Sequence, residues 1–119
     1  MTADALRAEL EGKDPETVLR RAWETFGDGL VFATSLAAED QVITDIIARN
    51  GWPIPFVTLD TGRLFPETYE VLAETERRYG IKVKVFFPDR GLVEAMVAEQ
   101  GINLFRESVA ARKRCCFVR

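Results

Sequence analysis

Apolar residues recur along the chain in blocks that alternate between helical spacing and short continuous runs. Val18, Leu19, Ala22, Trp23 and Phe26 lie on one face of a helix. Asp14-Pro15 supplies that helix with an N-cap and a proline at its first position, and Gly27 supplies its stop. A shorter helix is expected before it, from Thr2 to Glu11. LVFATS (30–35) follows as an apolar run without alternation, the pattern of a parallel strand buried on both faces. Val42, Ile43, Ile46 and Ile47 then return to helical spacing until Asn50-Gly51. The unit repeats. IPFVTLD (54–60) reads as a second buried strand, followed by a helix from Pro66 to Tyr79 that Gly80 closes. IKVKVFFP (81–88) reads as a third strand, alternating at first and so nearer a sheet edge. Leu92 to Gln100 forms a further helix ended by Gly101, and a last helix runs from Glu107 to the C-terminus.

Strands alternating with helices predict an α/β fold, a parallel sheet with right-handed crossovers and helices on both faces. No repeat, low-complexity tract or linker divides the chain, so residues 1–119 are expected to form a single α/β domain. Its parts are N-terminal helices (1–27), a βα core (28–107) and a cysteine-bearing C-terminal helix (108–119). Three strands are few for such a sheet, so the fold is expected to be incomplete at the C-terminus.

Composition narrows the function. A hydrophobic fraction of 47% suits a packed core, and a net charge of −3 argues against nucleic-acid binding. The charge is uneven: Val109 to Arg119 holds Arg112, Lys113, Arg114 and Arg119 and no acid, which suits a small anionic ligand. No run approaches a membrane helix and no signal-peptide core is present, so a cytoplasmic protein is expected. Histidine is absent, which removes Ser-His-Asp and Cys-His catalysis and histidine-based zinc sites.

In open α/β sheets ligands bind beyond the carboxyl ends of the strands, where three segments fall. Ser35, Leu36 and Ala37 lie between the first strand and its helix, where backbone N–H groups attract an anion and Ser35 can add a hydroxyl. An ordinary capped turn accounts for the same residues. Leu59, Asp60, Thr61, Gly62 and Arg63 end the second strand: Asp60 and Thr61 suit a ribose or phosphate, Gly62 a close approach and Arg63 an anion. A locally bonded turn is the alternative, and the following Leu64–Tyr69 stretch reads as packing and a helix start. In the third segment Arg112, Lys113 and Arg114 precede Cys115 and Cys116. Cations favour the thiolate, but two small buried hydrophobes would read the same. Adjacent helical cysteines project about 100° apart.

In order, SLAAEDQVITDII (35–47), VTLDTGRLFPETYEV (57–71), YGIKVKVFFPD (79–89) and NLFRESVAARKRCCFVR (103–119) resemble the sulfonucleotide reductase family over roughly residues 28–119. The resemblance implies an adenine-nucleotide α-hydrolase-like (PP-loop type) domain. It also implies reduction of adenylyl sulfate, or of its 3′-phosphorylated form, to sulfite and the adenosine nucleotide, with thioredoxin as electron donor. Carried onto this chain, Ser35, Leu36 and Ala37 line the phosphate side, Leu59 to Arg63 sit near the adenosine, and Arg119 joins the substrate site. Cys115 and Cys116 would be two of the four ligands of a [4Fe–4S] cluster. The pair is similar to the cluster-bearing branch, which mostly uses adenylyl sulfate. Ala37 stands where the family more often has glycine. The family's second cysteine pair and nucleophilic cysteine have no counterpart here, so no catalytic residue is assigned within the chain. The competing expectations are a truncated reductase, inactive alone and open to self-association, and a redox-inactive nucleotide-binding module. A PP-loop pyrophosphatase is disfavoured by the missing SGGxDS loop.

Overall fold

The computed structural model describes residues 1–119. Local signals act where they are written. Asp14 Oδ1 accepts from the Thr17 N–H at 3.0 Å, and the helix α2 it caps runs Pro15–Phe26, after the shorter α1 at Ala3–Leu10. The core follows as β1 (Phe32–Ala33), α3 (Ala38–Asn50), β2 (Phe56–Leu59), α4 (Pro66–Tyr79), β3 (Val83–Phe86), α5 (Arg90–Gln100) and α6 (Val109–Val118). Helices α3, α4 and α5 stop at Gly51, Gly80 and Gly101, as the sequence predicts. Two starts differ. Asp89 caps α5 through the Leu92 N–H and Ser108 caps α6 through the Ala111 N–H, so the caps, not the first apolar residues, set these boundaries.

The sheet is parallel in the order β1-β2-β3, with Phe32 beside Phe56 and Phe56 beside Val83. Both crossovers therefore step in the same direction, and right-handed connections carry α3 and α4 to the same face. Burial agrees. Ile47, Ile54, Phe56 and Val83 form a cluster on that face, with Leu19 and Trp23 of α2, Ile43 of α3 and Leu72 of α4 packed around it. Thr34 and Thr58 continue the covered face, where the Thr58 hydroxyl donates to the Thr34 carbonyl at 2.8 Å.

The opposite face is open. Leu59 is 68% exposed, Phe86 43% and Val31 51%. The α/β class and parallel sheet stand as expected, whereas strands buried on both sides do not. Along 54–60 the burial alternates, with Ile54, Phe56, Thr58 and Asp60 buried and Pro55 and Leu59 exposed. β1 is also shorter than 30–35, because only Phe32 and Ala33 pair with β2. A second cluster (Met96, Leu104, Ala111 and Cys115) packs α5, the 3-10 turn Leu104–Arg106 and α6. With packing divided in this way, the radius of gyration is 18.0 Å, against about 13–14 Å for a compact domain of this length.

One-sided burial makes a direct prediction. Ile47→Ala should lower stability by about 2–4 kcal/mol in urea unfolding, because Ile47 is 1% exposed. Leu59→Ser, on the open face, should change it by no more than about 0.5 kcal/mol. Equal losses at the two positions would contradict the burial described.

Candidate functional site

All three predicted segments do lie at the carboxyl end of the sheet, but the structure uses their polar groups unevenly. After β1, Asp40 reaches back from the first turn of α3. Its Oδ2 accepts from both the Ser35 hydroxyl and the Ser35 N–H, each at 2.6 Å. These two donors, the hydroxyl first, hold the Asp40 carboxyl below its ordinary range. The Ser35 hydroxyl oxygen also accepts from the Ala37 N–H at 3.3 Å. Leu36 is buried at φ 65°, an uncommon left-handed conformation for a branched residue, and its N–H donates to Thr34 Oγ1 at 3.0 Å. The hydroxyl the sequence offers to a phosphate is thus spent on Asp40, and a carboxylate already sits at the start of α3.

The second segment is a doubly bonded turn. Asp60 Oδ1 accepts from the Gly62 N–H at 2.7 Å and from the Tyr69 hydroxyl at 2.8 Å. Donation to Asp60 raises the Tyr69 phenol above its ordinary range. Thr61 Oγ1 accepts from the Arg63 N–H at 3.1 Å. The Asp60 N–H donates to the Phe86 carbonyl at 2.9 Å, which ties the turn to β3. Asp60 and Thr61 therefore shape the turn rather than project from it, and Leu59 points to the open face. Arg63 leaves the turn outward: its Nη2 donates to Asn103 Oδ1 at 3.0 Å, and its guanidinium lies 4.6 Å from the Phe105 ring centre.

Two clefts flank this turn. One, of about 460 Å³, is lined by Ala33, Ser35, Asp40, Val57, Leu59 and Leu64, among others. The other, of about 440 Å³, is lined by Arg63, Arg106, Arg112, Arg119, Cys115 and Cys116, with Thr61, Phe65 and Phe105. No acidic side chain lines the second cleft. None of its guanidiniums is paired with a carboxylate: the ion pairs of the chain use Arg21, Arg49, Arg77, Arg90 and Arg114 instead. Arg112 Nε donates to the Phe105 carbonyl at 3.3 Å, and Arg106 stacks 5.5 Å from the same ring. The C-terminal basic run is thus split. Arg112 and Arg119 face the cleft, whereas Arg114 turns to Glu99 and Gln100 of α5.

Cys115 is buried, Cys116 is exposed and neither is bridged, as the angle between adjacent helical positions requires. Both line the cationic cleft, and no third Cys, His, Asp or Glu joins them. Sequence reasoning missed Asp40, Tyr69, Asn103, Phe105 and Arg106. An acid in the first turn after a strand-end serine is a usable signal for Asp40. Arg106 carries none, because a 3-10 turn far along the chain brings it to the cleft.

Residues 29–119 match the phosphoadenosine phosphosulfate reductase domain family. The chain is 50% identical over 93 residues to an adenosine 5′-phosphosulfate reductase of Agrobacterium fabrum, covering 78% of this chain and 36% of that protein. It is 42% identical over 120 residues to one of Burkholderia cepacia, covering 99% of this chain and 48% of that protein. In fold it is similar to a phosphoadenylyl-sulfate reductase of Candida auris, crystallised as a phosphate complex, with a TM-score of 0.79 and 24% identity, covering 99% of this chain and 58% of the other. The chain thus spans less than half the length of these two bacterial relatives. No helix is long and apolar enough to cross a membrane. With the match running from the strand-end turns through the cysteine pair, the chain belongs to the phosphoadenosine phosphosulfate reductase domain family.

Proposed function

We propose that this chain is the nucleotide-binding part of an adenylyl-sulfate reductase, and that the cleft between the Asp60–Arg63 turn and α6 takes the anionic end of the substrate. The observation that carries this reading is the group of unpaired guanidiniums, Arg63, Arg106, Arg112 and Arg119, in a protein of net charge −3. Arginines without carboxylate partners around one concavity attract a phosphate or sulfate and can bind it bidentately. The loop after β1 suits the anion less well, because Asp40 already places negative charge there. Ser35 and Leu59 line the neighbouring cleft, which has the size of a small-molecule site and fits the adenosine side, with Leu36 and Ala37 in the same loop as Ser35. Asp60, Thr61 and Gly62 hold the turn between the two clefts and so fix where Arg63 points.

The full reaction, in this reading, reduces adenylyl sulfate to sulfite and AMP with electrons from thioredoxin in sulfate assimilation. The name borne by the bacterial relatives supports the unphosphorylated substrate, and the family name keeps the 3′-phosphorylated form as the alternative. Cys115 and Cys116 fit a [4Fe–4S] cluster as two of its four thiolate ligands, since the guanidiniums around them offset thiolate charge. When bound, such a cluster supplies a polarising iron–sulfur centre beside the sulfate. Neither cysteine is assigned as the nucleophile. A cytoplasmic setting goes with two unbridged cysteines.

Titration calorimetry with adenylyl sulfate and AMP tests the site. Arg63→Ala and Arg106→Ala should each weaken binding about 10–100-fold, the loss expected of one charge-assisted contact. Arg90→Ala, whose guanidinium is paired with Glu94 outside the cleft, should leave it unchanged. Binding of adenosine alone should be much less sensitive to all three changes. If the arginine variants bind adenylyl sulfate as tightly as the parent chain, the cleft is not the anion site.

The chain alone should bind without turnover. With two thiol ligands present, it should hold no four-iron cluster as a monomer and release no sulfite from adenylyl sulfate in the presence of reduced thioredoxin. Iron analysis giving four irons per monomer, or thioredoxin-dependent sulfite release, would overturn this.

A further inference from the structure

Arg119 is bonded in two directions and has one buried donor without an acceptor. Its backbone N–H donates to the Cys115 carbonyl at 2.9 Å, which ties the residue to the last turn of α6. Its Nη1 donates to the Thr61 carbonyl at 2.8 Å, across 58 positions of sequence. The same Nη1 lies 3.1 Å from where a Cβ on Gly62 would stand, so a side chain there would press the guanidinium aside by a few tenths of an ångström. Gly62 also has φ +79°, a conformation strained for any other residue type. Arg119 Nε, by contrast, is buried and has no acceptor. A buried charged donor left unmatched is costly, and it marks a place where an acceptor belongs.

We propose that Arg119 is a positioning residue with divided donors: Nη1 braces the Asp60–Arg63 turn against the cysteine helix, and Nε is kept for an oxygen of the anion in the cleft. The proposal rests on the reading of that cleft as the anion site, and it adds what the turn depends on. Tyr69 holds the turn from α4 through Asp60, and Arg119 holds it from α6 through the Thr61 carbonyl. Arg63, which follows Gly62 directly, is aimed by both. The positive φ is what favours glycine at position 62, and the guanidinium packs closely against it. The pairing also gives α6 a mechanical connection to the nucleotide turn that passes through neither cysteine side chain.

Arg119→Ala, Arg119→Lys and Gly62→Ala test the division. Amide hydrogen exchange at Gly62 and Arg63 reads the brace, and titration with inorganic sulfate and with AMP reads the reserved donor. Exchange within α3 controls for the fold. Arg119→Ala should speed exchange at both turn amides and weaken AMP and sulfate binding, each by about tenfold or more, with α3 unchanged. Arg119→Lys keeps the charge and one donor group able to reach the Thr61 carbonyl. It should restore turn protection to within about threefold while AMP affinity stays about tenfold weak. Gly62→Ala should speed turn exchange with Arg119 intact.

Unchanged turn exchange in Arg119→Ala would overturn the brace, and full recovery of affinity by Arg119→Lys would overturn the reserved donor. If the parent chain binds neither sulfate nor AMP, the proposed anion site and the reserved donor fall with it. The brace is then still decided by the exchange data alone.

Discussion

The handedness of two consecutive crossovers governs the architecture. With the strands in the order β1-β2-β3, each right-handed connection moves the chain the same way along the sheet. Helices α3 and α4 must then share a face, and α2 packs onto the same layer through Leu19 and Trp23. The other face receives nothing from this topology, so Val31, Leu59 and Phe86 stay exposed although each belongs to an apolar run. The extended dimensions follow from the packing divided between two clusters. Parallel strands send their carboxyl ends, and the turns that follow, to one edge of the molecule, which places the site.

Electrostatics at that edge divides the two turns. The turn after β1 is closed by a carboxylate, Asp40, which uses the donors of Ser35. The turn after β2 is closed by a carboxylate as well, but Asp60 is buried and faces inward to Gly62 and Tyr69. Its outward side carries only Arg63. A chain with more acidic than basic residues has carboxylates to spare, and elsewhere it pairs Arg21, Arg49, Arg77, Arg90 and Arg114 with them. Arg7, Arg20 and Arg78 also lack a carboxylate partner, so what sets Arg63, Arg106, Arg112 and Arg119 apart is that they converge on one cleft with no acid in its lining.

Much of this was legible in the sequence, and the parts that were not share a cause. Asp14-Pro15, Gly51, Gly80 and Gly101 mark helix ends through local chemistry, and local chemistry is what a sequence displays. The sidedness of the strands was misread because continuous apolar runs such as LVFATS and IPFVTLD look the same whether one face or two are covered. Coverage is decided by strand order, which no single segment encodes. At the site, the Asp60–Arg63 turn was placed correctly, yet whether Asp60 and Thr61 serve the ligand or the turn depended on Tyr69 and on backbone direction. Ser35 turned on Asp40, only five positions away. Arg106 and Asn103 reach the cleft through the 3-10 turn Leu104–Arg106 and could not be joined to Arg63 by spacing.

The vicinal cysteines show how one helix can satisfy two readings together. Cys115 packs with Met96, Leu104 and Ala111 as a small hydrophobe would, while Cys116, about 100° around the helix, is open to solvent. Both nevertheless border the same cationic cleft. Burial and access to the cationic cleft are thus not alternatives for the pair: Cys115 has both, and Cys116 has the second. Packing by Met96 and Leu104 closes Cys115 on its inner side, so anything that engages both sulfurs has to approach along the cleft, past Arg112 and Arg119. Arg112 and Arg119 thus stand beside both cysteines on one cleft, and the guanidinium of Arg119 is divided between the Thr61 carbonyl and a buried Nε without an acceptor.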